Sequence, residues 1–311
     1  MELKQCGHSG LYVSALGLGT LTWGRDTDGP EAHDMLKTFV DAGGNLVECS
    51  PTHGDGISVD VLSDALSTVG RHRVALAWRG AVRRAGEGAW VSAAGRGDLL
   101  RSLDDALARL DTDYVDMWLV EPRPEVPLAE TLEAATLAYR SGRTRYVGLS
   151  RASEWELAEA VTRGVLGASA PISVVEVAFS LANTSAAQTV AELSNRGVGV
   201  IAASALAGGA LTGKYRHTTP ADSRAASPHL RHMVEPYLGG QARTVIEAAS
   251  RAGAGLERST GDVALAWVRD FPGVSAALVG PRTCRQLETL LDFSDPLPEP
   301  IRQVLTEVAV L

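Results

Sequence analysis

The stretch FVDAGGNLVECSPTHGDG, residues 39–56, holds one complete structural transition. It begins in the last turn of a segment of helical period, Glu31–Ala42, and halts at Gly43-Gly44. Glycine just past the last periodic residue is a helix stop, because its backbone turns left-handed without a Cβ clash. The chain then enters the run Asn45 to Cys49, which is largely apolar on both faces, as a buried parallel strand is. A polar loop from Ser50 to Gly56 follows.

The same unit recurs on either side. Further runs at Ala15–Gly19, Val74–Trp78, Tyr114–Val120, Arg145–Leu149, Val174–Phe179, Val198–Ala202 and Ala276–Val279 bring the strands to eight. Between them lie helical stretches such as Asp98–Leu110, Leu128–Arg140 and Thr184–Arg196. Eight β/α units in 311 residues predict an α/β protein of the (β/α)8 TIM-barrel class, one domain over residues 1–311. A doubly wound sheet would need a glycine fingerprint after its first strand, and the chain has none. Outside the repeat, Glu2 to Val13 read as an N-terminal hairpin turning at Gly7-His8-Ser9-Gly10. Lys214 to Gly240 form a long loop, and Pro298 to Leu311 a C-terminal extra helix.

Composition narrows the function classes. A formal net charge of −8 and a pI near 5.4 argue against a nucleic-acid or anionic-membrane partner, and the basic residues are 26 arginines and only three lysines, Lys4, Lys37 and Lys214. No apolar run approaches the roughly 18 residues of a membrane span, and the first residues do not open a signal peptide. Cys6, Cys49 and Cys284 are odd in number and lack metal or redox spacing, so free thiols in a cytoplasmic protein are expected. His229 and His232, with His217 nearby, have no Glu or Cys to complete a metal set, and no metal is expected. Arg83-Arg84 beside Arg96 suit either an anionic substrate above the barrel or a solvated loop.

Chemistry in such barrels sits where the strands end. There, six segments in order resemble the aldo-keto reductases: GLYVSALGLGTLTWG (10–24), the quoted stretch 39–56, DYVDMWLVEPRPEVPLAETLEA (113–134), SGRTRYVGLS (141–150), GVGVIAASALAGGALTGKY (197–215) and ALVGPRTCRQLETLL (277–291). The resemblance runs from about Glu2 to Leu291. It implies a small-molecule carbonyl substrate, NADPH, and an Asp, Tyr, Lys and His tetrad in which Tyr is the general acid. All four positions are substituted. Glu48 stands for Asp, His53 for Tyr, Arg79 for Lys and Glu121 for His. No tyrosine lies between Tyr12 and Tyr114, and no lysine ends a strand, so a shifted alignment restores nothing.

The resemblance also implies cofactor contacts from Gly19, Thr20, Ser150, Arg151, Glu176, Ser204, Leu206 and Gly208 toward nicotinamide and pyrophosphate. Ser223, Arg224, Gly280, Arg282 and Gln286 stand at the adenosine end, with Arg282 on a 2′-phosphate, which favours NADP. Arg151 replaces an Asn, Glu176 a Gln, and Ala203 the aromatic that stacks on nicotinamide, while Leu290 takes an adenine-contacting Asn position.

Each substituted residue has two readings. His53 is either an acid-base imidazole or a tolerated polar residue, and two carboxylates nearby are expected to raise its pKa. Glu121 is either an acid or half of an inert pair with Arg79, as Glu48 also can be. Three functions follow: an NADP(H)-linked oxidoreductase whose proton donor is His53 or Glu121, slow on ordinary aldehydes; a non-redox acid-base enzyme such as an isomerase, dehydratase or cyclase; or a catalytically silent NADP-binding scaffold or sensor.

Overall fold

The computed structural model describes residues 1–80, 82–85, 88–92, 94–292 and 295–310. An antiparallel hairpin, β1 (Leu3–Gln5) and β2 (Tyr12–Ser14), precedes the barrel. The barrel strands are β3 (Leu16–Gly19), β4 (Leu46–Cys49), β5 (Ala75–Gly80), β8 (Val115–Val120), β9 (Thr144–Ser150), β10 (Ile172–Ala178), β11 (Gly199–Ala203) and β12 (Val274–Val279). They close in that order, every pair parallel, with β12 returning to β3. A second hairpin, β6 (Val82–Arg84) and β7 (Trp90–Ser92), follows β5 and belongs to no barrel pair.

Helices wrap the outside. The one leading into the quoted stretch, α1 (Gly29–Asp41), starts at Asp28, whose carboxylate accepts from the Glu31 amide, with proline in the first turn. Further along, the helix Glu154–Val165 begins with a reciprocal capping box between Ser153 and Glu156. The final helix covers Glu299–Val310.

Side chains alternate along each strand, so the apolar residues divide into two sets. Outward-facing ones such as Leu16, Leu18 and Trp118 join the helix layer. Inward-facing Leu46, Ala77, Leu119, Val174, Ile201 and Leu278 fill the barrel, and Cys6, Leu11 and Val13 at the N-terminal hairpin join them to close its floor. Two residues further along each of those strands, the inward positions reach the mouth.

Candidate active site

The inward-facing positions one layer above the barrel core, at or just past the strand ends, are in barrel order Gly19, Glu48, Arg79, Glu121, Ser150, Glu176, Ala203 and Gly280. Five consecutive strands, β4, β5, β8, β9 and β10, contribute polar side chains. The remaining three, β11, β12 and β3, contribute nothing larger than a methyl group.

Arg79 is the centre of the polar sector. Its Nε donates to Glu48 Oε1 at 2.9 Å, and its Nη1 donates to Glu121 Oε1 at 2.6 Å. Its Nη2 lies 3.1 Å from His53 Nε2, and Glu176 Oε1 is 3.5 Å from Nε. The four tetrad-position residues named from sequence therefore meet, and Glu176 joins them. Both salt bridges foreseen for Arg79, to Glu48 and to Glu121, are formed. All five side chains are buried; the most exposed, Arg79, keeps 9% of its surface.

Outer partners fix the remaining atoms. Glu121 Oε2 accepts from Arg123 Nη2 at 2.9 Å, and Arg151 Nε stands 3.7 Å from Oε1. Three guanidinium groups thus hold one carboxylate. Thr20 Oγ1 lies 3.0 Å from His53 Nδ1 and 2.8 Å from Ser58 Oγ. Ser150 Oγ donates to Glu176 Oε1 at 2.8 Å, whereas Glu176 Oε2 is buried without a hydrogen-bond partner among the described residues.

His53 corrects the expectation from sequence. Burial lowers its pKa to about 4; Glu48 opposes the fall, and Arg79 and Arg151 add to it. Counting nearby carboxylates predicted a rise, but desolvation of an imidazolium beside a guanidinium outweighs them. Since Arg79 can only donate, His53 Nε2 accepts and the ring proton sits on Nδ1 toward Thr20. Although burial works to raise it, Glu48 stays below its ordinary value beside His53 and Arg79. Glu176 behaves oppositely: burial pushes its carboxyl up to about 7 against the pull of Arg79. The carboxylates in turn outweigh burial at Arg79 and hold its proton more tightly than usual, so it is no acid.

Beyond the small-residue sector lies a cavity of about 280 Å³. Of the cofactor residues named from sequence, Ser204, Leu206, Gly208, Arg224, Gly280, Arg282 and Gln286 line it, together with Lys214 and Leu290. Three of the lining residues are cations, Lys214, Arg224 and Arg282, and none is a carboxylate. Arg224 Nη2 donates to the Gly280 carbonyl at 2.7 Å, and a Cβ at Gly280 would come within 2.8 Å of that atom. Burial and then the neighbouring Arg282 lower the Arg224 pKa, and Asp26 opposes the fall without reversing it. Backbone conformation adds to this, since Ser204, Ala207, Gly208 and Gly209 all have φ between 49° and 98°. Such runs form concave amide surfaces that accept anions. Gln286 Oε1 accepts from the Arg282 amide, and Ser223 Oγ is buried without a partner among the described residues. Gly19, Thr20, Ser150, Arg151 and Glu176 lie instead at the mouth of the barrel.

A larger cavity of about 820 Å³ lies beside the barrel, under the β6–β7 hairpin, where sequence placed the Arg83-Arg84 pair. Its arginines are already matched, Arg83 to Asp98, Arg84 to Asp55 and Arg109 to Asp60, while Arg96 reaches Glu133. Among the described residues, no three His, Cys, Asp or Glu side chains group as a metal site would. Nor is any helix there long and apolar enough to cross a membrane.

A closed parallel barrel with an ionic mouth and an adjoining cavity lined by cations defines the class: a β/α-barrel protein with a polar site where its strands end. The chain belongs to the aldo/keto reductase family, whose model matches residues 15–299. It is similar to a probable voltage-gated potassium channel subunit beta of Oryza sativa subsp. japonica, 28% identical over 96% of this chain and 92% of the relative. Protein tas of Escherichia coli (strain K12) is also 28% identical, over 94% of this chain and 92% of its own length. Aldo-keto reductase YhdN of Bacillus subtilis (strain 168) is 26% identical over 94% and 89%.

Proposed function

We infer that this protein is an NADP(H)-linked oxidoreductase of the aldo-keto reductase family whose proton donor has been replaced, and that ordinary aldehydes are poor substrates. The observation that carries the cofactor reading is the cavity lined by Lys214, Arg224 and Arg282 without a carboxylate. An anion is what those charges lack among the described residues. When bound, NADPH would supply the hydride. Arg282 would grip its 2′-phosphate, Ser204, Leu206 and Gly208 would line its pyrophosphate, and the Gly19 and Ala203 sector would admit the nicotinamide. Ala203 presents no aromatic face, so aim at the reacting carbon is looser, which is costly for hydride transfer.

Slow turnover is supported by the ion cluster. His53 at the Tyr position is neutral, with Nε2 occupied by Arg79, and Glu121 at the His position is held by three arginines. Neither offers a proton where the family's phenol would. General acid catalysis typically contributes about 10²–10⁴-fold, and reduction of simple aldehydes at saturating NADPH is expected to fall short of an intact tetrad by that order.

The deciding experiment is fluorescence titration with NADPH and NADH, on the wild type and on Arg282→Ala. A charge-assisted bond to the 2′-phosphate corresponds to roughly ten- to a hundred-fold in affinity. Arg282→Ala is therefore expected to weaken NADPH by that factor and leave NADH nearly unchanged. Equal weakening of both, or no binding of either by the wild type, would end the reading.

A further inference from the structure

The cavity of about 280 Å³ is rich in hydrogen-bond donors and poor in committed acceptors. Lys214, Arg224 and Arg282 can only donate. The Gln286 amide oxygen already accepts from the Arg282 amide at 2.9 Å, which leaves Gln286 Nε2 as a further donor. Away from Gly280, the wall is formed by the helix Cys284–Leu291, whose last turn brings Thr289 and Leu290 to the cavity opposite Thr212. Leu290 carries no polar side-chain atom. The two hydroxyls donate to backbone carbonyls, Thr289 Oγ1 to Arg285 at 3.0 Å and Thr212 Oγ1 to Gly209 at 2.8 Å. Among the described residues, no carboxylate lines this cavity. Asp262 and Asp292 line only the neighbouring cavity of about 210 Å³, which shares Thr212, Thr289 and Leu290 with it, and Asp262 is gripped by both ends of the Arg258 fork at 2.7 and 3.0 Å.

We propose that this cavity does not select the adenine base of its dinucleotide: Leu290 leaves the outer end indifferent to the group at purine C6, and a 6-oxopurine dinucleotide phosphate binds as well as NADPH. The inference rests on the cofactor reading above. Adenine presents an amine at C6, which must donate, whereas a 6-oxopurine presents a carbonyl, which must accept. Telling them apart needs a group fixed in one role, such as a carboxylate or a free amide oxygen placed to receive the amine. Leu290 supplies neither, and a threonine hydroxyl pairs with an amine or a carbonyl alike. The remaining free donor, Gln286 Nε2, suits a ring nitrogen or a 6-oxo group and gives the amine no advantage. Apolar contact with Leu290 reads the shape of the ring, and contact of that kind discriminates weakly between near-isosteres. Affinity then comes from charge-assisted bonds to the phosphates, which both dinucleotides carry.

Calorimetric titration with NADPH and with reduced nicotinamide hypoxanthine dinucleotide phosphate tests this. The wild type is expected to bind the two with Kd values within about threefold, less than one well-made hydrogen bond confers. Leu290→Asn introduces an amide able to pair with the adenine amine and N7 together, and is expected to favour NADPH by about fivefold or more. Leu290→Val keeps the wall apolar and is expected to keep the parity, a check that does not depend on the asparagine variant folding well. A wild-type preference for NADPH of about threefold or more overturns the proposal. Parity unchanged in Leu290→Asn overturns the assignment to Leu290. Binding of NADPH with rejection of the hypoxanthine analogue ends this inference and leaves the cofactor reading standing, whereas binding of neither ends both.

Discussion

Arg79 determines what the mouth of this barrel can do. A lysine there would present one ammonium, but the guanidinium fork reaches Glu48, Glu121 and His53 through three different nitrogens. It removes the acid function from His53 by donating to it, and it fixes Glu48 and Glu121 as acceptors. Removing one member of a buried ion cluster is worse than never having built it, because the others keep their desolvation cost without compensation. Arg79→Ala is therefore expected to destabilise the fold by about 3–5 kcal/mol, measured by denaturant unfolding at neutral pH. The loss should shrink on acidification, since the stranded carboxylates take up protons in the folded state. A variant as stable as the wild type would mean that the cluster is wet and loosely held.

At the scale of elements, the barrel was legible because buried parallel strands are apolar on both faces and are cut cleanly by glycine stops. All eight strands lie where the apolar runs stand. The ends differ for a physical reason: the run at Val74–Trp78 continues as strand to Gly80, because Arg79 points inward to a charged mouth that an apolar criterion cannot recognise. The β6–β7 hairpin was not foreseen. Three-residue strands carry too little alternation, and this pair is held by Arg84 over the Trp90 ring and by bonds from both to Asp55. Convergence of Glu48, Arg79 and Glu121 at strand ends, with His53 on the loop after β4, followed from the sequence, but the sign of the His53 shift did not, since it depends on how much water the fold removes. The barrel interior has its own requirement, which only the packing reveals. A Cβ on Gly148 of β9 would stand 2.5 Å from the Val174 carbonyl and 2.7 Å from Leu119 Cδ2. Gly148→Ala is expected to cost about 1–3 kcal/mol by overpacking, read as a lowered Tm. An unchanged Tm would show that β9 and β10 can separate without penalty.

For the whole molecule, the two displaced titrations act on stability in opposite directions over nearly the same pH range. His53 falls from an ordinary 6.5 to about 4 in the folded state. Between those values the unfolded chain binds more protons, so stability drops as pH falls. Glu176 rises from 4.5 to about 7, and between those values the folded chain binds more protons, so stability drops as pH rises. Over the shared window, from about 4.5 to 6.5, the slopes oppose and the contribution of this pair is nearly flat. Single variants expose each slope. Glu176→Gln removes the proton held by the native state, leaving a protein that gains stability as pH rises from about 4 to 6.5. His53→Asn removes the opposite term, leaving one that loses stability as pH rises from about 4.5 to 7. Urea unfolding of wild type and both variants at half-unit intervals across this range measures the three curves directly. Parallel curves would mean that neither group is displaced by burial, and that the mouth of the barrel admits water freely.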